Sequence, residues 1–316
     1  MVTVSAGDAG APVVAVVVTH RRQDLLRRCL SAVLGQTRPP DAVVVVDNAS
    51  EDGTDALVRR EFPAVDLVVL ARNTGGAGGF AAGLQRALDV HGAGAAWLLD
   101  DDTVPEPEAL AGLLSARDGY PGGVPALVAS RVLWTDGREH PMNTPRRAPL
   151  ARQEALQAAA AVDAVPVRSA SFVSVLVDGA AARATDLPVA DYFLWNDDFE
   201  YTTRLLRGRA GLATRRSTVV HHTRTFGASD ADPGPRFYYE VRNKTWLFTR
   251  SPGLAPVERL LYGGSSLRRW ARTAARSSDR RTLLRAGARG LRDGLRAGPR
   301  PTAEVLAGVL PTQVPS

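Results

Sequence analysis

The sequence predicts an α/β fold in which a mostly parallel, Rossmann-like sheet is flanked by helices. Short apolar, β-branched runs, typical of strands that a parallel sheet buries on both faces, alternate with segments of helical apolar spacing. Four of these runs end in polar, acidic or glycine-rich segments, and open parallel sheets bind ligands at the carboxyl ends of their strands. Arginines recur in the last 66 residues, which predicts a basic helical appendage at the C-terminal end.

The first half of the chain has a regular alternation of strands and helices. Pro12–Thr19 predicts the first core strand, Asp24–Leu34 a helix, and Ala42–Val46 a second strand that Asp47 follows, which together make a βαβ unit. Thr103, Pro105 and Glu106 predict the start of another helix, with Asp102 or Thr103 as its cap. Between these segments lie a strand at Leu67–Leu70, a glycine-rich stretch Arg72–Phe80 before a helix through Leu84 and Leu88, and a strand Ala95–Leu99.

The pattern weakens from residue 124 to residue 177, where we expect mixed strands, a helix and loops over one face of the sheet. It returns in a helix through Leu205 and Leu206, a strand Gly211–Val220 that ends at His221, and a helix from Arg236. Residues 256 to about 309 are helical in composition. We therefore divide the chain into a disordered N-terminus (1–11), an α/β domain (12–250) and an arginine-rich helical region (251–316).

Composition and charge limit the classes of function. A chain of 316 residues, 45% hydrophobic, is long enough for one large α/β domain, and its single cysteine, Cys29, excludes an intramolecular disulfide framework. Neither a secretory leader nor an apolar run of about 18 residues is visible, so we expect no membrane span. The net charge of +6 is uneven: residues 251–316 hold twelve arginines and four acids, so they carry +8 and the rest −2.

Asp100, Asp101 and Asp102 directly follow a predicted buried strand. Three adjacent carboxylates repel one another, and a bound cation would compensate for this, whereas a helix cap uses only one acid. Carboxylate oxygens suit Mg²⁺ or Mn²⁺, so we interpret the cluster as a metal site. A histidine after an apolar strand is more often structural than a ligand, but His221 and His222 become candidates because this cluster needs a further ligand.

Other segments are less specific. Gly75–Gly79 lacks the spacing of a dinucleotide fingerprint, and it could be a simple turn, but free N–H groups at a helix start favour anions, so we prefer nucleotide contact. Asp197, Asp198 and Glu200 are either acids for base catalysis or solvated acids at a helix N-terminus. Trp195 beside them is either a core residue or a platform for a sugar ring.

Seven short segments match, in order, the motifs of a known family: Val16–Arg22, Val46–Ser50, Asn73–Phe80, Leu99–Asp102, Trp195–Tyr201, the histidine pair and Tyr238–Asn243. The set covers roughly residues 12 to 250 and resembles the family 2 glycosyltransferases. Within them it is most similar to the galactofuranosyltransferases and rhamnosyltransferases of bacterial cell-wall glycans. The resemblance implies a GT-A fold for residues 12–250, a nucleotide-sugar donor, a divalent metal ion and inversion at the anomeric carbon.

The resemblance also implies roles for individual residues. Asp198 matches the general base, which takes the acceptor hydroxyl proton on the face opposite the leaving diphosphate. The outer acids Asp100 and Asp102 match metal ligands, and His222 fits the spacing of the third ligand better than His221. The acceptor would be oriented by Trp195, Asp197 and Glu200. The nucleotide sugar would contact Thr19, Arg21, Asp47, Arg72, Asn73, Gly76, Asp100 and Asp101.

We therefore expect an inverting glycosyltransferase that needs Mn²⁺ or Mg²⁺ and moves galactofuranose from UDP-galactofuranose to a polyprenyl-linked cell-wall glycan. The alternative donor is dTDP-rhamnose. Two hypotheses come from other classes of function. The sequence pI near 10 is typical of a nucleic-acid-binding protein, and a catalytically inactive sugar-binding relative is the third hypothesis. The net positive charge is confined to the tail, which has no recognition motif, and the acids and histidine are all retained. We therefore expect an enzyme with no nucleic-acid partner.

The basic tail indicates where the protein works. Polyprenyl-linked glycans grow at the cytoplasmic leaflet, whose anionic headgroups attract arginines. The arginines of residues 251–316 are interleaved with Leu283, Leu284, Leu291 and Leu295, which could insert shallowly beside them. We expect a cytoplasmic protein that is peripheral at the inner face of the plasma membrane, although an ordinary solvated helical face is the alternative reading of the tail.

Overall fold

Strands and helices alternate along the computed structural model, which describes residues 10–149, 151–223, 226 and 232–310. The predicted disorder of residues 1–11 lies, for residues 1–9, outside the described residues. The strands are β1 (Val13–Thr19), β2 (Ala42–Asp47), β3 (Asp66–Val69), β4 (Ala95–Asp100), β5 (Thr103–Pro105), β6 (Leu127–Trp134), β7 (Arg146–Arg147), β8 (Ala164–Ser169), β9 (Ser174–Asp178) and β10 (Gly211–His221). The helices are α1 (Gln23–Leu34), α2 (Thr54–Glu61), α3 (Gly75–Asp89), α4 (Ala109–Asp118), α5 (Gln153–Ala160), α6 (Gly179–Arg183), α7 (Asp197–Leu205), α8 (Phe237–Thr249), α9 (Pro256–Arg276), α10 (Arg280–Arg296) and α11 (Thr302–Leu306).

The first part of the sheet is parallel, as predicted. β1 lies between β2 and β4 and pairs in parallel with both, while β3 extends the parallel set beyond β2. Every residue of β1 is buried, and alternate residues enter two different core clusters. Val16 belongs to the cluster that includes α3, whereas Val17 belongs to the one that includes α1. The continuous β-branched run therefore marked a strand covered by helices on both faces.

Beyond β4 the sheet becomes mixed, because β9 runs antiparallel to both β4 and β6. The strand order is β3-β2-β1-β4-β9-β6-β10-β8-β7, with β5 paired to β10. β10 is parallel to β6 and has an irregularity between Ala213 and Thr218, so its first part pairs with β8 and its end with β5. The second pairing places His221 opposite Thr103, next to the acid cluster.

Four segments differ from the prediction. Residues 124–177 were expected over one face of the sheet, but β6, β8 and β9 lie within the sheet itself. The helix start predicted at Thr103 is wrong: this residue begins β5, and α4 begins at Ala109, because the end of β10 takes these residues into the sheet. Most of the glycine-rich stretch lies inside α3, where a Cβ on Gly79 would come within 2.4 Å of Val18 Cγ1, so glycine lets the helix lie close to β1. Helix α2 had no counterpart in the prediction.

Two of the C-terminal helices pack onto the preceding residues, α10 through α8 and α11 through α3. α10 lies against α8, and a Cβ on Gly290 would lie 2.5 Å from the Tyr238 carbonyl oxygen, so glycine permits this close approach. Leu283 is fully buried there with Phe237 and Val241, and its expected insertion into a membrane is therefore wrong. Leu284 and its two predicted companions, Leu291 and Leu295, are exposed. Among the described helices, none combines the length and the apolar character needed to cross a membrane.

Candidate active site

Asp100, Asp102 and His221 meet at the carboxyl end of β4 and form what we call the acid–histidine group. One carboxylate or imidazole atom from each lies within 4.8 Å of the others, and His221 Nε2 is 2.9 Å from Asp102 Oδ1. The acids come from the end of β4 and the turn after it, and the histidine comes from the last position of β10. The pairing of β10 with β5 brings these distant parts of the sequence together.

His222, the ligand preferred in the sequence analysis, lies outside this group. β10 ends at His221, and the side chains of the two consecutive histidines have different neighbours. His221 is buried between Asp102 and Asn143, whose Oδ1 is 2.9 Å from His221 Nδ1, whereas His222 Nε2 is 3.4 Å from an Arg28 guanidinium nitrogen. We therefore replace His222 by His221 as the candidate ligand.

The charges around the acid–histidine group favour a cation. Burial, together with the charges of the two acids that follow it, raises the pKa of Asp100 well above its ordinary value. For Asp102 the cost of burial is outweighed by hydrogen bonds and charge from His221 and Arg22, which lower its pKa. Arg22 Nη1 lies 2.5 Å from Asp102 Oδ2 and 3.0 Å from Asp101 Oδ1. Carboxylate oxygens with one imidazole nitrogen are a donor set that fits Mn²⁺ or Mg²⁺.

Asp101, the central acid of the cluster, is turned toward the end of β1. It accepts hydrogen bonds from Thr19 Oγ1 at 2.8 Å and from the His20 backbone N–H at 3.3 Å, in addition to its contact with Arg22. Burial, partly offset by Arg22, raises the pKa of Asp101 to about 6. Both Thr19 and Asp101 were predicted to contact the nucleotide, and in this structure each is buried and bonded to the other.

The loops after β1 and β2 hold two further residues predicted at the nucleotide. Asp47 accepts a hydrogen bond from the Ser50 backbone N–H at 3.0 Å, and Arg21 Nε donates to the Ser50 carbonyl oxygen at 2.8 Å. Both residues therefore shape the same turn after β2. Arg21 has a left-handed backbone, with φ of 55°, and its guanidinium lies 3.5 Å from the exposed Glu51.

The side chains of Asn73 and Arg72, both predicted to contact the nucleotide, point to different parts of the structure. Asn73 Nδ2 is 3.2 Å from His20 Nε2, so this side chain stays at the end of β1. Arg72 instead donates to the Val305 carbonyl oxygen in α11 at 2.7 Å, which links the loop to the C-terminal helices. Asn48, which the sequence analysis did not single out, is buried and bonds both Thr74 and Gly75 at 2.7 to 3.1 Å, so it ties the end of β2 to α3.

A cavity of about 870 Å³ opens beside the acid–histidine group. This volume lies within the range of small-molecule sites. Its far wall comes from α8 and α9, through Glu240, Lys244 and Arg269 among others. Of the residues predicted for the site, the cavity is lined by Gly76, Asp100, Asp102, Trp195, Asp197 and Asp198. The metal candidates and the candidate base therefore share one space.

The first turn of α7 presents two acids to the cavity, of which Asp197 is buried and Asp198 is half-buried. Burial raises the pKa of Asp198 to about 6, and burial together with the neighbouring charge of Asp198 raises the pKa of Asp197 to about 8. An acid with a pKa near 6 is mostly ionised at neutral pH and is matched to accept a proton there. Glu200 differs: it is buried, it pairs with Arg204 at 2.9 Å and accepts from Ser251, and it does not line this cavity. Glu200 was predicted to contact the acceptor, but in the structure it forms a buried ion pair with Arg204.

The loop before α7, residues 193–196, has a strained backbone. Phe193, Trp195 and Asn196 all have φ between 63° and 66°, a conformation that costs non-glycine residues free energy unless their surroundings impose it. Glycine at position 75 is required on one side, because a Cβ there would lie 1.8 Å from the Phe193 carbonyl oxygen. The loop is therefore fitted closely against the start of α3.

α8 holds the other side of the loop before α7. Asn243 Nδ2 lies 2.8 to 2.9 Å from the carbonyl oxygens of Tyr192, Leu194 and Trp195, and Glu240 accepts a hydrogen bond from Asn196 at 2.9 Å. The donor Asn243 and the acceptor Glu240 both belong to the segment Tyr238–Asn243, which matched a family motif but received no role from the sequence. The structure explains this motif as the support of the loop that carries Trp195 and leads into Asp198.

Comparison with known proteins agrees with this geometry. Residues 14–169 match the family described as Glycosyl transferase family 2. Galactofuranosyltransferase GlfT1 of Mycobacterium tuberculosis (strain ATCC 25618 / H37Rv) is 32% identical over 259 residues, which cover 77% of this chain and 83% of that protein. The chain belongs to glycosyl transferase family 2. The GlfT1 protein of Mycolicibacterium smegmatis is 30% identical to this transferase over 273 residues, 79% of this chain and 88% of that protein.

Solved structures confirm the GT-A fold of the transferase. S. aureus TarS 1–349, solved in complex with UDP-GlcNAc, has a TM-score of 0.60 and 16% sequence identity, and the match covers 94% of this chain and 83% of that one. Mannosyltransferase PcManGT from Pyrobaculum calidifontis, in complex with GDP-Man and Mn²⁺, has a TM-score of 0.53 and 18% identity, covering 95% of this chain and 80% of that one. Family and relatives together identify this chain as a nucleotide-sugar-dependent glycosyltransferase.

Proposed function

We propose that this transferase moves galactofuranose from UDP-galactofuranose to a lipid-linked glycan, with inversion at the anomeric carbon. The observation that carries the proposal is that the acid–histidine group and the half-buried Asp198 line one cavity in a chain 32% identical to a galactofuranosyltransferase. The donor would bind along the carboxyl ends of β1, β2 and β4. Arg21 in the loop after β1, Asp47 at the end of β2 and Asn73 before α3 all lie at this edge of the sheet.

The metal fits the residues present. Asp100, Asp102 and His221 would hold a divalent ion, Mn²⁺ or Mg²⁺, because their donor atoms already converge and a cation would relieve the burial and the repulsion between neighbouring acids that raise the pKa of Asp100. When bound, the ion would neutralise negative charge on the departing nucleoside diphosphate. Asn143 accepts from His221 Nδ1, which leaves Nε2 facing Asp102. This hydrogen bond orients the imidazole in the way that outer partners orient metal-ligating histidines.

Asp198 would act as the general base. Inversion requires a base on the face of the sugar opposite the leaving diphosphate, and it must take the proton of the acceptor hydroxyl as that oxygen attacks the anomeric carbon. Asp198 Oδ1 accepts only a local hydrogen bond, from the Phe199 backbone N–H at 2.6 Å, among the hydrogen bonds of the described residues. Trp195 lines the same cavity and could support the acceptor sugar.

The deciding experiment is transfer from UDP-galactofuranose to a short lipid-linked galactan acceptor in the presence of Mn²⁺, with product linkage read by NMR. We expect transfer with inverted anomeric configuration and its loss in EDTA. dTDP-rhamnose is the matched alternative donor. Preferential use of dTDP-rhamnose would show that rhamnose, not galactofuranose, is the sugar transferred. A retained anomeric configuration would refute the role of Asp198 as the base. Full activity in EDTA would refute the metal.

We further propose that the transferase works at the cytoplasmic face of the plasma membrane, bound peripherally through residues 251–316. Support comes from the arginine-rich composition of this region and from the exposed leucines of its helices. A lipid-linked acceptor would be presented at that surface. Cell fractionation with a high-salt wash tests the location: we expect the protein in the membrane fraction and its release by salt, whereas recovery in the soluble fraction at low salt would contradict it.

A further inference from the structure

α9 has two chemically different faces. At 100° per residue, Val257, Leu260, Leu261 and Leu267 fall on one side of this helix and form what we call the apolar stripe. Their side chains are 63%, 80%, 64% and 63% exposed. Large apolar side chains that are exposed singly are ordinary, but four on one helical face form a contiguous surface that calls for a partner.

The opposite face of α9 belongs to the cavity. Tyr262, Ser266 and Trp270 lie on that side and line it, and Arg269 bonds Glu240 at 2.5 Å from the same wall. The helix is also held at its beginning, where Glu258 pairs with Arg168 at 2.6 Å. The apolar stripe is therefore not the inner face of a poorly docked helix, because the inner face is already in contact with the site.

The charges beside the apolar stripe have one sign. Arg268, Arg272 and Arg276 follow it on the same half of the helix, and α9 contains no acid after Glu258. Two copies of the chain joined through this face would bring these arginines toward each other, which is unfavourable. A surface that is apolar below and anionic above compensates both the leucines and the arginines, as the interface of an anionic bilayer does.

We propose that the apolar stripe and its flanking arginines dock on an anionic lipid bilayer, so that the α9 wall of the cavity lies next to the membrane. Only the purpose of this docking rests on the proposed function: a lipid-linked acceptor would then reach the cavity without leaving the bilayer. This assignment differs from the one based on composition, which chose the leucines of α10.

α10 provides a matched control. Leu284 and Leu291 are 60% and 46% exposed, somewhat less than the residues of the stripe, and the buried face of α10 packs on α8 rather than on the cavity. Replacing either pair by glutamine removes apolar surface without touching a buried side chain or a charge. The full-length variant Leu260→Gln/Leu267→Gln is therefore compared with Leu284→Gln/Leu291→Gln and with the unchanged chain.

The experiment is cosedimentation with vesicles of phosphatidylcholine, with and without phosphatidylglycerol, in the absence of sugar nucleotide and acceptor. We expect binding only to the anionic vesicles, weakened by salt, and a loss of about tenfold or more in partition for the α9 variant, because two leucines no longer insert. We expect less than about threefold for the α10 variant. Transfer to a short water-soluble acceptor should be the same in all three proteins.

Equal losses in the two variants, or no loss in either, would overturn the assignment of α9. A dimer of the unchanged chain that dissociates only in the α9 variant, with vesicle binding unaltered, would show that a second copy covers the stripe. Because the assay contains no substrate, its outcome is independent of the sugar that is transferred. Intact docking through α9 without transfer of galactofuranose would overturn the proposed function alone.

Discussion

Replacing Asn243 tests whether α8 supports the loop before α7. The variant Asn243→Ala removes the amide whose two N–H groups are shared among the carbonyl oxygens of Tyr192, Leu194 and Trp195. Asn243→Asp keeps the size of the side chain but replaces the donor by a carboxylate. If the hydrogen bonds hold the loop before α7, both variants should release it, and the aspartate should be no better than the alanine.

The magnitude follows from the contacts. The Tyr192 carbonyl keeps a second side-chain donor, Arg242 at 3.1 Å, whereas Leu194 and Trp195 have Asn243 as their side-chain donor in the described part of the chain. Two carbonyls lose a donor worth about 1–3 kcal/mol each, and the loop lines a cavity that water can enter, so we expect the free energy of unfolding to fall by about 2–3 kcal/mol. A displacement of about 1 Å at Asp198 costs on the order of 10²-fold in kcat.

The assay separates stability from positioning. Urea unfolding gives the change in free energy, and steady-state transfer well below the unfolding midpoint gives kcat and KM for the donor. We expect kcat to fall by about 10²-fold while donor KM changes little, because in the proposed function this loop carries Trp195 and leads into Asp198, which act on the acceptor. The matched control is Thr245→Ala, which shortens a buried residue of α8 whose hydroxyl bonds only Val241 of its own helix among the described contacts.

Two results would refute this reasoning. If Asn243→Ala is destabilised as calculated but keeps its kcat, the loop is not what positions the base. If Thr245→Ala lowers kcat as much as Asn243→Ala does, the effect belongs to the stability of α8 in general and not to the hydrogen bonds with the loop.

The remaining predictions concern the metal, the base and the start of α3. His221→Ala should weaken Mn²⁺ binding in calorimetry by about tenfold or more and His222→Ala by less than about threefold; the reverse order would restore the ligand chosen from sequence. Asp198→Asn should lower transfer by about 10²- to 10⁴-fold while UDP binding persists, and loss of UDP binding would contradict a base. In the unchanged enzyme kcat should rise as the pH passes through about 6, because burial raises the pKa of Asp198 and only its ionised form accepts a proton; a flat profile between pH of about 5 and 7 would argue against it. Gly75→Ala should lower the melting temperature, because its Cβ would collide with the Phe193 carbonyl; an unchanged melting temperature would show that the loop can move away.

The sequence by itself determined the elements whose signal is local. The β-branched run of β1 is buried along its whole length. Helices α1 and α8 begin within one residue of the expected positions, and α7 contains Leu205 but ends before Leu206, because apolar spacing reports which faces are covered. The acid cluster could also be predicted as a candidate metal site from local sequence, because Asp100, Asp101 and Asp102 repel one another unless a cation compensates their charge.

Tertiary structure decided what depends on partners distant in the sequence. The choice of His221 over His222 follows from the register of β10 against β5, which no local pattern encodes, and the same pairing turned the expected helix at Thr103 into a strand. The burial of Leu283 depends on α8 lying against α10, and the task of Asn243 became visible only when three carbonyls some 50 residues away lay around its amide. Periodicity shows which residues of an element face inward, but only the assembled sheet and helices show what those residues meet.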